Sequence, residues 1–189
     1  YYAIEQYLLE HGVEMLFGHA CENLILENNV CKGVLLNDGK QGFELFAKTV
    51  VIATGRRGAD WLEKVCLEHG VEHKPGTVDI GVRVEVPDEV WNDITSQVYE
   101  AKLLYRTKQY GDFVRTFCMN PHGHVVMENT DGIVTVNGHS YSDPKLQSRN
   151  TNFALLVSNH FTEPFKEPHQ YGKRIAAFSN MLGGGIIGL

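Results

Sequence analysis

No stretch of the 189-residue chain approaches the roughly 18–20 consecutive apolar residues that a membrane helix needs, so no membrane partner is expected. Positive charge is short. Seventeen Lys and Arg against 23 Asp and Glu leave a net charge of −6, which argues against a nucleic-acid module held by a basic face. Cysteine is sparse too. Cys21, Cys31, Cys66 and Cys118 follow no CxxC pattern, which excludes a disulfide scaffold and points to reduced thiols in a cytoplasm. A full metal-ligand set is also missing. His122 and His124 flank Gly123 with Cys118 nearby, but no third and fourth ligand follow at a recognisable interval, so no metal site is expected. The chain opens on Tyr1-Tyr2, with neither an initiator Met nor a signal-peptide layout, and closes on Gly188-Leu189 directly after a glycine cluster. The expectation is an internal piece of a longer protein.

What is present suits a folded protein. Hydrophobic residues at 43% and charged residues at 21% exclude intrinsic disorder. The length fits one domain or one and a half, at about 100–200 residues per domain. Residues 3–11 carry Ile4, Tyr7 and Leu8 at helical spacing, with Gly12 as the stop. Residues 13–17 read as a short strand. Two apolar runs, 21–27 and 30–36, meet at Asn28-Asn29, a pair that accepts positive φ and closes a hairpin. Asn37-Asp38-Gly39 is the next turn, and residues 43–46 start another strand. KTVVIA (48–53) is a β-branched run of the kind buried on both faces of a parallel sheet. A helix follows over 59–69, with Trp61, Leu62, Val65 and Cys66 on one side and Gly70 as its stop. The hexapeptide Leu-Glu-His-Gly-Val-Glu occurs at 9–14 and again at 67–72, both at helix ends, which suggests a shared capping solution.

Lys74-Pro75-Gly76 marks the expected boundary between a domain over 1–74 and one over 75–189. Beyond it, residues 78–86 alternate as a strand and Pro87-Asp88-Glu89 starts a short helix through Trp91 and Ile94. Runs at 98–106, 112–118, 123–128 and 132–137, separated by glycine turns, predict an antiparallel meander. Residues 139–151 are loop-like, 152–157 a buried strand, and 163–168 a proline-bounded loop. A helix over 170–182 places Ile175, Phe178 and Leu182 on one stripe. The predicted class is mixed α/β (α+β).

Five groups of residues carry candidate chemistry. A strand followed by Ala53-Thr54-Gly55 and a helix is where parallel sheets bind ligands, and the helix amides with Arg56 and Arg57 suit a pyrophosphate. The same residues also describe an ordinary strand-to-helix turn with solvated arginines. Gly183 to Gly188 match G-x-G-x-x-G by letter but follow a predicted helix, so a helix cap or close backbone packing competes with a flavin-lining role. Cys118, before a Pro-His-Gly turn, is either a reactive thiol or an inert buried one. His139, Ser140 and Tyr141 form a loop dense in proton-transfer groups, and Arg149, Asn150, Thr151 and Asn152 a polar cluster that binds substrate or caps turns.

KTVVIATGRRGADWL (48–62), VDIGVRVEVP (78–87), TFCMNPHGHVVMEN (116–129), VNGHSY (136–141), TNFALLVS (151–158) and the glycine-rich close occur in an order that resembles the bacterial FAD-dependent dehydrogenases. The resemblance implies a Rossmann-like FAD-binding domain, interrupted by an antiparallel substrate-side domain that covers the isoalloxazine. It implies a flavin-dependent oxidoreductase acting on a small-molecule substrate, with NAD(P)H as a candidate electron donor. Ala53, Thr54, Gly55 and Arg56 would contact FAD, as would Gly183 and Gly184. Cys118, His124, His139 and Tyr141 would be the catalytic candidates. Some relatives read Cys-Met-Cys-Pro-Gly-Gly where this chain has Cys118-Met119-Asn120-Pro121-His122-Gly123, so the second thiol is replaced by Asn120. The piece itself is expected to fold but to hold FAD weakly and to be inactive alone. The alternatives are a protein-docking module with structural or no flavin, and a metal-dependent enzyme using His122, His124 and Cys118.

Overall fold

The structure, a computed structural model, describes residues 1–161 and 167–184. It is mixed α/β, with antiparallel sheets and four α-helices among the described residues. Residues 1–73 and 74–189 form two compact units. No helix of the described residues is long and apolar enough to cross a membrane. All four cysteines are free.

In the first unit, α1 (Tyr2–Glu10) precedes β1 (Ala20–Glu27), β2 (Val30–Asn37) and β3 (Gly42–Phe46), which form an antiparallel sheet in that order. The β1–β2 turn works because Asn28 and Asn29 both take positive φ, 52° and 61°, matching the twist of a two-residue hairpin. The next turn is built by Asp38. Its carboxylate accepts the Lys40 and Gln41 amides, and these bonds hold its pKa below the usual carboxylate range. Helix α2 (Ala59–Glu68) turns Trp61, Leu62, Val65 and Cys66 inward, and Val65 is 2% exposed. Trp61 Nε1 donates to the Glu22 carbonyl (3.0 Å), and Asn23 bonds both His69 and Glu68, tying α2 to β1.

Both copies of the repeated hexapeptide end a helix in the same way. Gly12 (φ +80°) and Gly70 (φ +65°) sit in the left-handed region. Gly12 N donates to Leu9 O and Val13 N to Leu8 O; Gly70 N donates to Leu67 O and Val71 N to Cys66 O. This is the Schellman arrangement, which uses carbonyls the helix leaves unbonded.

Two expectations fail in this unit. Residues 13–17 form no strand. The 48–53 run is not a strand either, and Val51 is 83% exposed. No strand among the described residues pairs with it, and a β ladder needs a partner for its amides and carbonyls.

The second unit contains β4 (Val78–Pro87), α3 (Asn92–Thr95), β5 (Leu104–Arg106), β6 (Phe113–Asn120), β7 (His124–Thr130), β8 (Ile133–His139), β9 (Asn150–Asn159) and α4 (Pro168–Leu182). The sheet order is β4-β9-β6-β5, all antiparallel, and β7-β8 is a separate hairpin. The expected meander through β5 to β8 is therefore broken, because β6 and β7 lie in different sheets and β9 takes the place beside β6. Ala101, Met119 and Phe153 form the core, with Val84, Val86, Trp91 and Leu155 packed on it. Trp91 meets Phe153 edge-on at 5.0 Å.

The strand expected over 98–106 shrinks to three residues. The buried Thr116 hydroxyl donates to Ala101 O and accepts from Leu103 N, so this stretch is anchored by a side chain in place of a ladder. Helix α4 is turned opposite to expectation. Ile175, Phe178 and Leu182 are exposed, at 39%, 56% and 72%. The less exposed face carries His169, Gly172, Lys173, Ala176 and Asn180. Gly172 lets the helix cross close to Val78, and Asn180 bonds both the N–H and the carbonyl of Val134 on β8, each at 2.7 Å. Packing of backbone against a small, polar face thus overrides the apolar stripe. The expected loop at 163–168 lies largely outside the described residues, as do Gly185 to Gly188 of the glycine motif.

Candidate functional site

In the first unit, Ala53, Thr54 and Gly55 are exposed and lead through a 3₁₀ turn, Arg56–Gly58, into α2. Gly55 has φ 62° and ψ −160°, a region open almost solely to glycine, and nothing lies within 4 Å of where its Cβ would stand. The α2 N-terminus has no side-chain cap bond. The backbone at Gly55 is thus open and the helix start carries no side-chain cap, with Arg56 and Arg57 adjacent in the chain. Gly183 and Gly184, in the second unit, end α4. Their amides donate to Ser179 O and Met181 O, so these two glycines close the helix.

His124 and His139 are directly opposed where β7 and β8 pair. The His124 ring meets Tyr141 edge-on at 5.8 Å, and its Nε2 bonds the Leu146 carbonyl at 2.9 Å. Three of the four catalytic candidates therefore come together. Cys118 lies on β6 at a bulge, where the register slips between Phe117 and Asn120 and Cys118 itself takes φ 49°.

That bulge turns the Cys118 carbonyl onto Arg83. Arg83 Nη2 donates to it at 2.6 Å and Asn120 Nδ2 at 2.7 Å, while Arg83 Nε donates to Asn152 Oδ1 at 2.9 Å. Burial pulls the Arg83 pKa below its ordinary value, opposed by the nearby Cys118 and Glu128. Asn152 is fully buried, and its Nδ2 makes no hydrogen bond among the described residues. Of the polar cluster at 149–152, Thr151 and Asn152 are buried, Thr151 bonding Asp88, while Asn150 bonds Glu85 nearer the surface and Arg149 is exposed.

A pairing invisible in the sequence sits beside these groups. His122, in a left-handed turn (φ 53°), bonds Asp88 Oδ2 through Nδ1 at 2.7 Å. Asp88 Oδ1 accepts the hydroxyl of the buried Thr151 at 2.7 Å. The two partners lie 34 residues apart. The available signals were two facts seen separately: a histidine in a glycine turn and an aspartate opening a short helix. His122 and His124 point their bonding atoms at different partners, and no group of three or more metal-capable side chains gathers among the described residues. A cleft of about 580 Å³ opens here, lined by residues 95–99, Pro121, His122, 140–142 and Gln147.

Neither curated proteins nor solved structures give a match to the chain. Residues 1–77 match a protein-family model described as FAD binding domain, and this match supports a FAD-binding oxidoreductase family.

Proposed function

We propose that this chain is part of a flavin-dependent oxidoreductase, a dehydrogenase of the bacterial FAD-dependent kind, acting on a small molecule with NAD(P)H as electron donor. The FAD binding domain match over residues 1–77 carries the reading. Within it, residues 1–74 belong to the FAD-binding domain and 75–189 supply the substrate side. Ala53, Thr54, Gly55 and Arg56 hold the pyrophosphate or ribose, with Gly55 giving backbone access and Arg56 charge. Gly183 and Gly184 line the flavin through backbone alone. FAD, when bound, supplies hydride acceptance. His124, His139 and Tyr141 orient the substrate and hold its proton, beside Cys118. Free thiols suit a cytoplasmic setting.

The test is the visible spectrum of the protein at its full natural length, purified without added flavin. Flavin absorbance, with FAD released on denaturation, is expected. The Gly55→Ala variant is expected to retain less FAD. A folded, colourless protein that takes up no FAD overturns the reading.

A further inference from the structure

The cleft in the second unit has a chemistry of its own. Its lining offers hydroxyls from Ser96, Tyr99, Tyr141 and Ser142 and an amide from Gln147, but no Asp, Glu, Lys or Arg. Among the described residues no ionised side chain lines the cleft, and the carboxylate behind it, Asp88, is already taken by His122 and Thr151, so an ionised ligand finds no direct charged partner. Several donors and acceptors are uncommitted. The side-chain hydroxyls of Ser96, Tyr99, Tyr141 and Ser142 make no hydrogen bond among the described residues, whereas Gln147 Nε2 is tied to the Tyr141 carbonyl. Tyr99 and Tyr141 are 62% and 47% exposed, and both line the cleft, so each presents ring surface to an occupant. A volume of about 580 Å³ suits a small molecule.

His122 supplies the directional element. Asp88 is fixed by the Thr151 hydroxyl and receives the His122 Nδ1 hydrogen. That bond makes Nε2 of the neutral ring an acceptor with a set orientation. An acceptor of this kind matches a ligand hydroxyl.

We propose that this cleft binds a neutral polyhydroxylated small molecule, a sugar or polyol, with one hydroxyl donating to His122 Nε2 and an apolar face against Tyr99 or Tyr141. The cleft shares Tyr141 with the substrate side proposed above, and its test reads ligand binding, which flavin retention does not report. The test is saturation-transfer NMR and calorimetry on the full chain, using a panel of neutral monosaccharides and alditols beside the matching sugar acids and amino sugars. Saturable binding of at least one neutral member is expected, with the charged counterparts at least about tenfold weaker. Tyr141→Ala and His122→Gln are each expected to weaken that binding about tenfold, as loss of one well-formed contact does. Ser142→Ala, in an exposed loop position, provides a third variant should either of these lose its fold by circular dichroism. No binding by any neutral member, equal binding of charged ones, or unchanged affinity in the folded variants would overturn the proposal. Flavin retention is read by absorbance and fails or succeeds separately.

Discussion

Arg83 donates through two nitrogens, to Asn152 and to the Cys118 carbonyl, and the residue facing this knot is Gly138. A Cβ at Gly138 would run into Arg83 Nη2, Asn152 Oδ1 and Asn120 Nδ2 together. These atoms are held by their own hydrogen bonds, so none can yield without breaking one. Gly138→Ala is therefore expected to destabilise the protein by about 1–3 kcal/mol, read from urea unfolding midpoints. An unchanged midpoint would mean that the knot has slack. Conventional sequence cues pass over this site. Arg83, Asn120, Gly138 and Asn152 come from four strands, and no local spacing relates them. The Asp88–His122 pair is hidden for the same reason, while His139 and Tyr141 are close enough in sequence to read as one loop.

At the scale of the elements, turns and caps are the most legible features, because their chemistry is local. Asn28-Asn29, Gly12 and Gly70 each sit where a positive φ is needed. Gly12→Ala and Gly70→Ala are each expected to cost about 1–2 kcal/mol, the penalty for an L side chain in the left-handed region. Thermal melts of the two variants check this, and a melting temperature equal to that of the parent would show that the cap is dispensable. Most strands are legible as alternating or apolar runs between turns, although the β-branched run at 48–53 forms none, and strand order is not legible at all. The insertion of β9 between β4 and β6 depends on pairing across the unit, and the ladder runs the full length of β4. The orientation of α4 is not legible in the sequence for a related reason. Its small and polar face offers close approach at Gly172 and two backbone bonds through Asn180, neither of which a hydrophobic stripe reports.

For the molecule as a whole, the two units are joined through an exposed, irregular stretch over residues 71–77 that contains Lys74. Limited digestion with a glutamate-specific protease is expected to cut early after Glu72, in this stretch, and to leave two resistant pieces, seen by mass spectrometry. Resistance at Glu72, with first cuts inside the strands, would contradict a division there. The duplicated hexapeptide has a separate use. His11 bonds Tyr7 O and stacks on the Tyr7 ring at 4.0 Å, whereas His69 bonds the Asn23 side chain. Identical neighbours in sequence, identical backbone shape and different company make the pair an internal control. Any chemical shift or labelling rate that separates His11 from His69 reports what lies outside the shared hexapeptide, Tyr7 included, with the hexapeptide's own contribution already subtracted.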